Sequence, residues 1–286
     1  LFVNRKEVGG MMEKDLDIKR YSSFSQFLEQ ACGIVLGNNR QYLVRSRLTP
    51  IVRQLQLDSI EDCVDKILAG DSRVRELAVE AMTTNETLWF RDQYPFVLLE
   101  KDILQQFATK PSPLRIWSAA CSSGQEAYSI AMTILNFKKL GSGLRYGAEI
   151  IGTDISDEML QRAKLAEYDY LAMSRGIEEK FKTEYFEPVG SDKLRVKSNV
   201  RALTQFKPLN LLGSYQSLGR FDIIFCRNVL IYFSPEVKKK ILQKFAACLQ
   251  EGGILFLGAS ESISNLTDEF TMVRCQSGLY YRKNPS

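Results

Sequence analysis

A chain of 286 residues, 45% hydrophobic and 25% charged, has an ordinary folded-protein composition and is long enough for two domains that each bury a core. Its net charge of +4 is too small to argue for nucleic acid, no apolar run is long enough to span a bilayer, and no signal-peptide pattern occurs. Histidine is absent, which excludes a Ser-His or Cys-His triad, a histidine general base and the usual histidine-containing zinc sites.

Residues 1 to about 13 lack a methionine at position 1, carry Gly9-Gly10-Met11-Met12, and are expected to stand outside the fold as a leader. Residues 14–82 are expected to form an all-helical N-terminal domain. Phe24, Phe27, Leu28 and Cys32 recur at helical spacing, as do Leu43, Val44 and Leu48, then Cys63, Val64, Ile67 and Leu68, then Val74, Leu77 and Ala78. Gly37-Asn38-Asn39, Thr49-Pro50 and Gly70-Asp71-Ser72 punctuate the pattern, Thr49 reading as an N-cap and Pro50 as the first residue of a new helix. Arg40, Arg45, Arg47 and Arg53 occur with no acidic residue between Glu29 and Asp58. They are either a solvated helix face or a docking surface for an acidic partner.

Residues 83–112 read as a linker. The run Thr83 to Arg91 is polar and then abruptly aromatic, which suits a capped helix start with Trp89 and Phe90 in the core, or loop residues that touch a ligand at a domain junction. Residues 113–286 alternate between strand and helix. Leu114 to Ala119 is a short buried strand, Ala119 to Gly124 are all small, and Ala127, Ile130, Ala131, Ile134 and Leu135 repeat at helical spacing. This is the opening strand-turn-helix of an open α/β sheet, whose ligand lies beyond the carboxyl ends of the strands. With only Gly124, the turn lacks the GxGxxG that lets a backbone approach a pyrophosphate. Glu126 would repel a phosphate and attract an ammonium, unless Ser123 and Glu126 form a capping box. Ala148 to Thr153 is a second strand ending on Asp154, placed either to accept from ribose hydroxyls or to organise a turn, and Ser156 caps the next helix. An adenosine ligand with a short charged tail and no phosphate fits this turn better than a dinucleotide.

Between Tyr185 and Leu211 the alternation is mixed and polar, and a small antiparallel β-subdomain is expected at about 184–208. Phe221 to Cys226 is a buried strand that delivers Arg227-Asn228-Val229 and Tyr232-Phe233 to its carboxyl end. Ser234-Pro235-Glu236 starts a helix, Gly252-Gly253 reads as its end, Ile254 to Leu257 as a strand, and Phe270 to Arg274 with Gly278 to Arg282 as a terminal hairpin. The six cysteines contain no CxxC pair and read as reduced, mostly buried thiols of a cytoplasmic protein, and no metal site is expected.

Four segments occur in order: Thr83-Thr84-Asn85-Glu86-Thr87-Leu88-Trp89-Phe90-Arg91, Trp117-Ser118-Ala119-Ala120-Cys121-Ser122-Ser123-Gly124, Phe225-Cys226-Arg227-Asn228-Val229-Leu230-Ile231-Tyr232-Phe233 and Gly258-Ala259-Ser260-Glu261. Through them the chain, from about Phe24 onward, resembles the CheR-type chemotaxis receptor glutamate methyltransferases. The resemblance implies an α/β fold, a Rossmann-like S-adenosylmethionine-dependent methyltransferase domain with a small antiparallel β-subdomain, preceded by an all-helical domain. It implies methyl transfer from S-adenosylmethionine, leaving S-adenosylhomocysteine, to glutamate side chains of the cytoplasmic helical bundle of chemotaxis receptors, for sensory adaptation. Donor contacts implied by the motifs are Asn85, Thr87, Arg91, Glu126, Asp154, Asn210, Leu211, Asn228 and Val229, with Arg91 and Tyr232 at the transfer centre. The acidic bundle would meet Arg40, Arg45, Arg47 and Arg53 electrostatically. A monomer that neither binds nucleic acid nor inserts into membrane is expected.

Three departures stand against the family pattern. Gln125 and Ala127 stand where the family often has Glu and Pro, and Ala259 stands where it usually has His. The short insertion leans toward a member that needs no receptor C-terminal pentapeptide. The competing readings are a methyltransferase for RNA or a small molecule, and a non-catalytic S-adenosylmethionine-binding sensor or scaffold.

Overall fold

The computed structural model describes residues 16–141 and 143–285, so the leader expected at residues 1–13 lies outside the described residues. Two compact units divide after Met82, with residues 32–34 grouped with the second. Helices α1 (Ile18–Cys32), α2 (Gln41–Gln54), α3 (Ile60–Ala69) and α4 (Ser72–Met82) precede the division. Helix α3 shows why this stretch is helical. Ile60, Cys63, Val64 and Ile67 form its buried stripe, and each such burial is worth on the order of 1.5–3 kcal/mol. Ser59 accepts the Asp62 N–H as N-cap, Glu61 and Asp62 complement the positive end of the dipole, and left-handed Gly70 closes the other end.

Pro50 lies inside α2 and does not begin a new helix. Proline removes the bond its N–H would have made to the carbonyl four residues back. The helix continues because Val44, Leu48 and Ile51 are buried on one face, while Thr49 Oγ1 donates to the Arg45 carbonyl at 2.7 Å. Among the described residues, no helix is long and apolar enough to cross a membrane.

The second unit contains α5 (Tyr94–Leu98), β1 (Leu114–Ala119), α6 (Gln125–Lys139), β2 (Ala148–Asp154), α7 (Asp157–Leu165), β3 (Glu167–Asp169), α8 (Tyr170–Met173), α9 (Glu179–Tyr185), β4 (Phe186–Val189), β5 (Lys193–Val196) and α10 (Ser198–Arg201). It continues with β6 (Thr204–Pro208), β7 (Phe221–Cys226), α11 (Pro235–Cys248), β8 (Leu249–Leu257), β9 (Phe270–Cys275) and β10 (Gly278–Lys283). Seven strands form one sheet in the order β6-β2-β1-β7-β8-β10-β9. The first five are parallel, and β10 and β9 run antiparallel at the far edge. Beneath β1, Trp117 packs among Tyr215, Phe221 and Phe245, and its Nε1 donates to Thr153 Oγ1 at 2.9 Å. That bond ties the buried ends of β1 and β2 together.

The small antiparallel sheet has the order β3-β5-β4 and begins upstream of the position expected at about 184–208. Its first strand, Glu167–Asp169, is three residues long, too short for alternation to reveal. Thr204–Pro208 belongs instead to the main sheet, paired in parallel with β2. As an edge strand it is half-exposed and polar, which made it look like part of the insertion. Gly252-Gly253 does not end α11 either. That helix stops at Cys248 and the chain enters β8 directly, where a register shift opposite Phe221 and Ile223 accommodates the two glycines.

Candidate active site

The carboxyl ends of the parallel strands are level. Ala119 pairs with both Thr153 and Cys226, Asp154 with Pro208, and Cys226 with Leu257. The residues that follow each strand therefore leave the sheet at one edge. These are the turn after β1, Asp154, Asn210 and Leu211 beyond β6, and Arg227, Asn228 and Val229 beyond β7. Strands β2 and β6 extend the sheet on one side of β1, and β7 and β8 on the other, so this edge is a topological switch point.

The turn after β1 is held by its neighbours. Ala120, Ser122 and Gly124 have positive φ, and a Cβ on Gly124 would lie 2.9 Å from the Cβ of Ala163 on α7, so glycine is required there. The two oxygens of buried Asp154 accept the Ser122 N–H at 2.7 Å and the Ser156 N–H at 2.9 Å. Asp154 thus organises the turn, beside any role toward a ribose. Ser122 Oγ donates to the Asn85 carbonyl at 2.8 Å, which brings the linker to the same place. Leu209 N–H donates to the Asp154 carbonyl at 2.9 Å, drawing the Asn210 segment alongside. Asn210 Oδ1 in turn accepts the Leu212 N–H at 2.9 Å.

Glu126 does not form a capping box. The N-cap of α6 is Gly124 without a side-chain bond, and the Ser123 hydroxyl goes to Gln125 Oε1. The Glu126 carboxylate accepts from Ser118 Oγ at 2.7 Å and from Arg227 Nη1 at 3.0 Å. Arg227, with its side chain 1% exposed, also donates through Nη2 to the Arg91 carbonyl at 2.6 Å and to Asp92 Oδ2 at 2.8 Å. One buried guanidinium therefore fixes the linker residue Arg91 against the first turn of α6. Glu261 does the same for the neighbouring loops, its Oε2 accepting the N–H groups of Asn228 at 2.8 Å and Gly258 at 2.7 Å, and its Oε1 that of Ile231 at 3.3 Å. Sequence reasoning gave neither Arg227 nor Glu261 a role. The available signal was a charged residue directly after six fully buried strand residues.

Of the eleven described non-glycine residues with positive φ, six lie here: Phe90, Asp92, Gln93, Ala120, Ser122 and Asn228. Strain of this kind persists where the surroundings over-determine the backbone, and it concentrates at functional sites. Thr87, Arg91 and Tyr232 are half-buried. Arg91 Nη1 donates to the Glu86 carbonyl at 3.3 Å, and Tyr232 closes a short 3-10 turn, Leu230–Tyr232, packed with Val229 on the core. Burial, with the carboxylates of Asp154 and Glu126 nearby, pushes the Cys121 thiol well above its usual range. Burial also raises Cys226, next to Glu261 and Glu126. Burial therefore favours the protonated thiol at both positions, the opposite of what an activated nucleophile needs. Among the described residues no cluster of His, Cys, Asp and Glu could hold a metal.

An orphaned atom bears on the ligand. Asn228 Oδ1 is buried without a hydrogen-bond partner, an acceptor waiting for an N–H or O–H. A nucleoside with an ammonium tail offers both kinds of donor, so the residues present fit S-adenosylmethionine.

In the first unit, the four arginines do not share one face. Arg45 reaches Glu61 at 3.4 Å and Arg47 reaches the Ala81 carbonyl at 3.2 Å, whereas Arg40 and Arg53 are exposed. At about 100° per residue, positions 40 and 47 fall nearly in line while 45 and 53 point elsewhere around α2.

Comparison with known proteins covers both units. The family described as CheR methyltransferase, all-alpha domain matches residues 19–83, and CheR methyltransferase, SAM binding domain matches residues 85–279. A chemotaxis protein methyltransferase of Vibrio parahaemolyticus is 52% identical over 265 residues, spanning 92% of this chain and 96% of that protein. Chemotaxis protein methyltransferase 1 of Vibrio cholerae is 51% identical, spanning 92% and 96%. The Pseudomonas aeruginosa protein of the same name is 50% identical, spanning 92% and 97%.

Proposed function

The chain belongs to the CheR methyltransferase family, and we propose on that premise that it esterifies glutamate side chains of chemotaxis receptors. It is an S-adenosylmethionine-dependent chemotaxis protein methyltransferase. The glutamate acceptor is the finer reading. One observation carries it: among the described residues, the carboxylates gathered at this edge are already engaged. The chain has no histidine, and the carboxylates of Glu126, Asp92, Asp154 and Glu261 are each committed to an arginine or to backbone N–H groups. An amine or alcohol acceptor must lose a proton, whereas a glutamate with a pKa of about 4.3 is already ionised near neutrality.

In this reading Asn85, Thr87, Arg91, Glu126, Asp154, Asn210, Leu211, Asn228 and Val229 hold the donor. Bound there, S-adenosylmethionine supplies an electrophilic methyl on a sulfonium. An acceptor carboxylate that is ionised as it stands would ask no residue of this chain to take up a proton. The protein's part is to align the two groups and exclude water. Arg91 and Tyr232 steer the acceptor carboxylate, one by charge and one by hydrogen bonding. Arg91→Ala is expected to lower turnover about a hundredfold, the order of magnitude for removing one charge-assisted hydrogen bond at the transfer centre. Unchanged turnover and donor affinity in steady-state kinetics would remove Arg91 from that role.

The receptor bundle is the partner in this reading, met electrostatically through the exposed Arg53 of α2. Arg53→Glu is expected to raise the receptor KM severalfold at low salt and to have little effect at high salt. A KM that ignores ionic strength in both proteins would reject this contact.

Incubation with methyl-labelled donor and receptor-containing membranes tests the function. Label on the receptor that alkali releases as methanol supports the ester. Alkali-stable label means another acceptor, and donor binding without transfer means a sensor or scaffold.

A further inference from the structure

The small sheet reaches the turn after β1 through Tyr168. Tyr168 lies on β3, 5% exposed, and its hydroxyl donates to the Ser123 carbonyl at 2.6 Å. The ring is held independently of that bond. Trp89 of the linker packs edge-on against it at 4.8 Å and edge-on against Phe186 of β4 at 5.1 Å. A Cβ on Gly176, in the loop after α8, would collide with the Trp89 carbonyl oxygen, so loop, linker and small sheet pack without slack. Burial, reinforced by Tyr128 and Cys121 nearby, pushes the Tyr168 phenol well above its usual range, so it remains a hydrogen-bond donor.

The rest of the turn is anchored elsewhere. Ser122 is tied to Asp154 and Asn85, and the Cys121 N–H to the Thr153 carbonyl at 2.9 Å. The Ser123–Gly124 peptide donates its N–H to the Cys121 carbonyl at 3.0 Å and offers its carbonyl to Tyr168, and Gly124, the N-cap at φ +93, leads directly into α6. Tilting that plane would tilt the first turn, which carries Glu126. We propose that Tyr168 is a positioning residue for methyl transfer, its hydroxyl pinning the Ser123–Gly124 peptide and so presetting the donor-binding turn. The inference rests on the donor reading given above, and it makes the small sheet a support of the donor site.

Tyr168→Phe keeps the ring packing and removes only the pin. Calorimetry with S-adenosylhomocysteine, well below the melting transition of each protein, is expected to show a Kd about five- to tenfold weaker, the effect of roughly one hydrogen bond. The KM for S-adenosylmethionine should rise by the same factor, with kcat at saturating donor and the receptor KM unchanged. Tyr185→Phe is the control. Tyr185 is a buried tyrosine whose hydroxyl donates to Asn136 at 2.5 Å, away from the turn, and its loss should leave donor affinity as it was. Tyr168→Phe binding within twofold of wild type, or equal weakening in Tyr185→Phe, would overturn the proposal. A wild-type chain that binds no S-adenosylhomocysteine would overturn the donor reading as well.

Discussion

Arg227→Met is expected to cost about 3–5 kcal/mol of folding stability and to abolish methyl transfer, because it strips a buried charge from two carboxylates at once. The Arg227 side chain is 1% exposed, Glu126 13% and Asp92 29%. The loss therefore falls mainly on Glu126, which among the described residues would keep Ser118 Oγ as a partner. Asp92 is solvated enough that water replaces much of what it loses. Denaturant unfolding reads the stability change. The variant carrying Arg227→Met, Glu126→Gln and Asp92→Asn together should regain most of the stability, since no uncompensated charge remains. It should not regain activity, because the Arg91 carbonyl then loses its bond to the guanidinium that also holds Glu126 of α6, and only the Phe90 N–H bond to Ser129 remains described between this stretch and that helix. A stable, active Arg227→Met single variant would mean that this guanidinium does not position the linker.

The second large effect is expected from Asp154→Asn, with donor affinity falling about a hundredfold and stability by about 1–3 kcal/mol. Both carboxylate oxygens accept backbone N–H groups, from Ser122 and Ser156. An amide can accept at only one of those positions and must point an N–H donor at the other. Either way a backbone donor loses its partner, at the turn after β1 or at the start of α7. Calorimetry with S-adenosylhomocysteine measures the affinity. Wild-type affinity in this variant would show that the turn does not depend on Asp154.

Much of this site was legible in the sequence because the small residues from Ala119 to Gly124 and the acidic residue ending β2 are local signals. Each follows a strand whose burial is nearly complete. The stretch from Phe221 to Asn228 read correctly for the same reason. What sequence reasoning missed was non-local. Arg227, Asp92 and Glu126 meet only after the linker folds back on the sheet, and no spacing rule links positions 92, 126 and 227. The polar edge strand β6 and the three-residue β3 carry too little hydrophobic pattern to be distinguished from loops. Pro50 inside α2 is the reverse case, a strong local signal overridden by burial of Val44, Leu48 and Ile51.

A pH–rate profile tests base-free transfer most directly, with initial rates of receptor methylation at saturating donor from about pH 4.5 to 8.5. With the proposed glutamate acceptor the active form is the ionised carboxylate, so the rate should be level across neutrality and should fall only in the acid limb, as the acceptor protonates toward its pKa of about 4.3. A rate that climbs about tenfold per pH unit through neutrality would mean that a proton must leave before the methyl can be accepted, and would contradict the account.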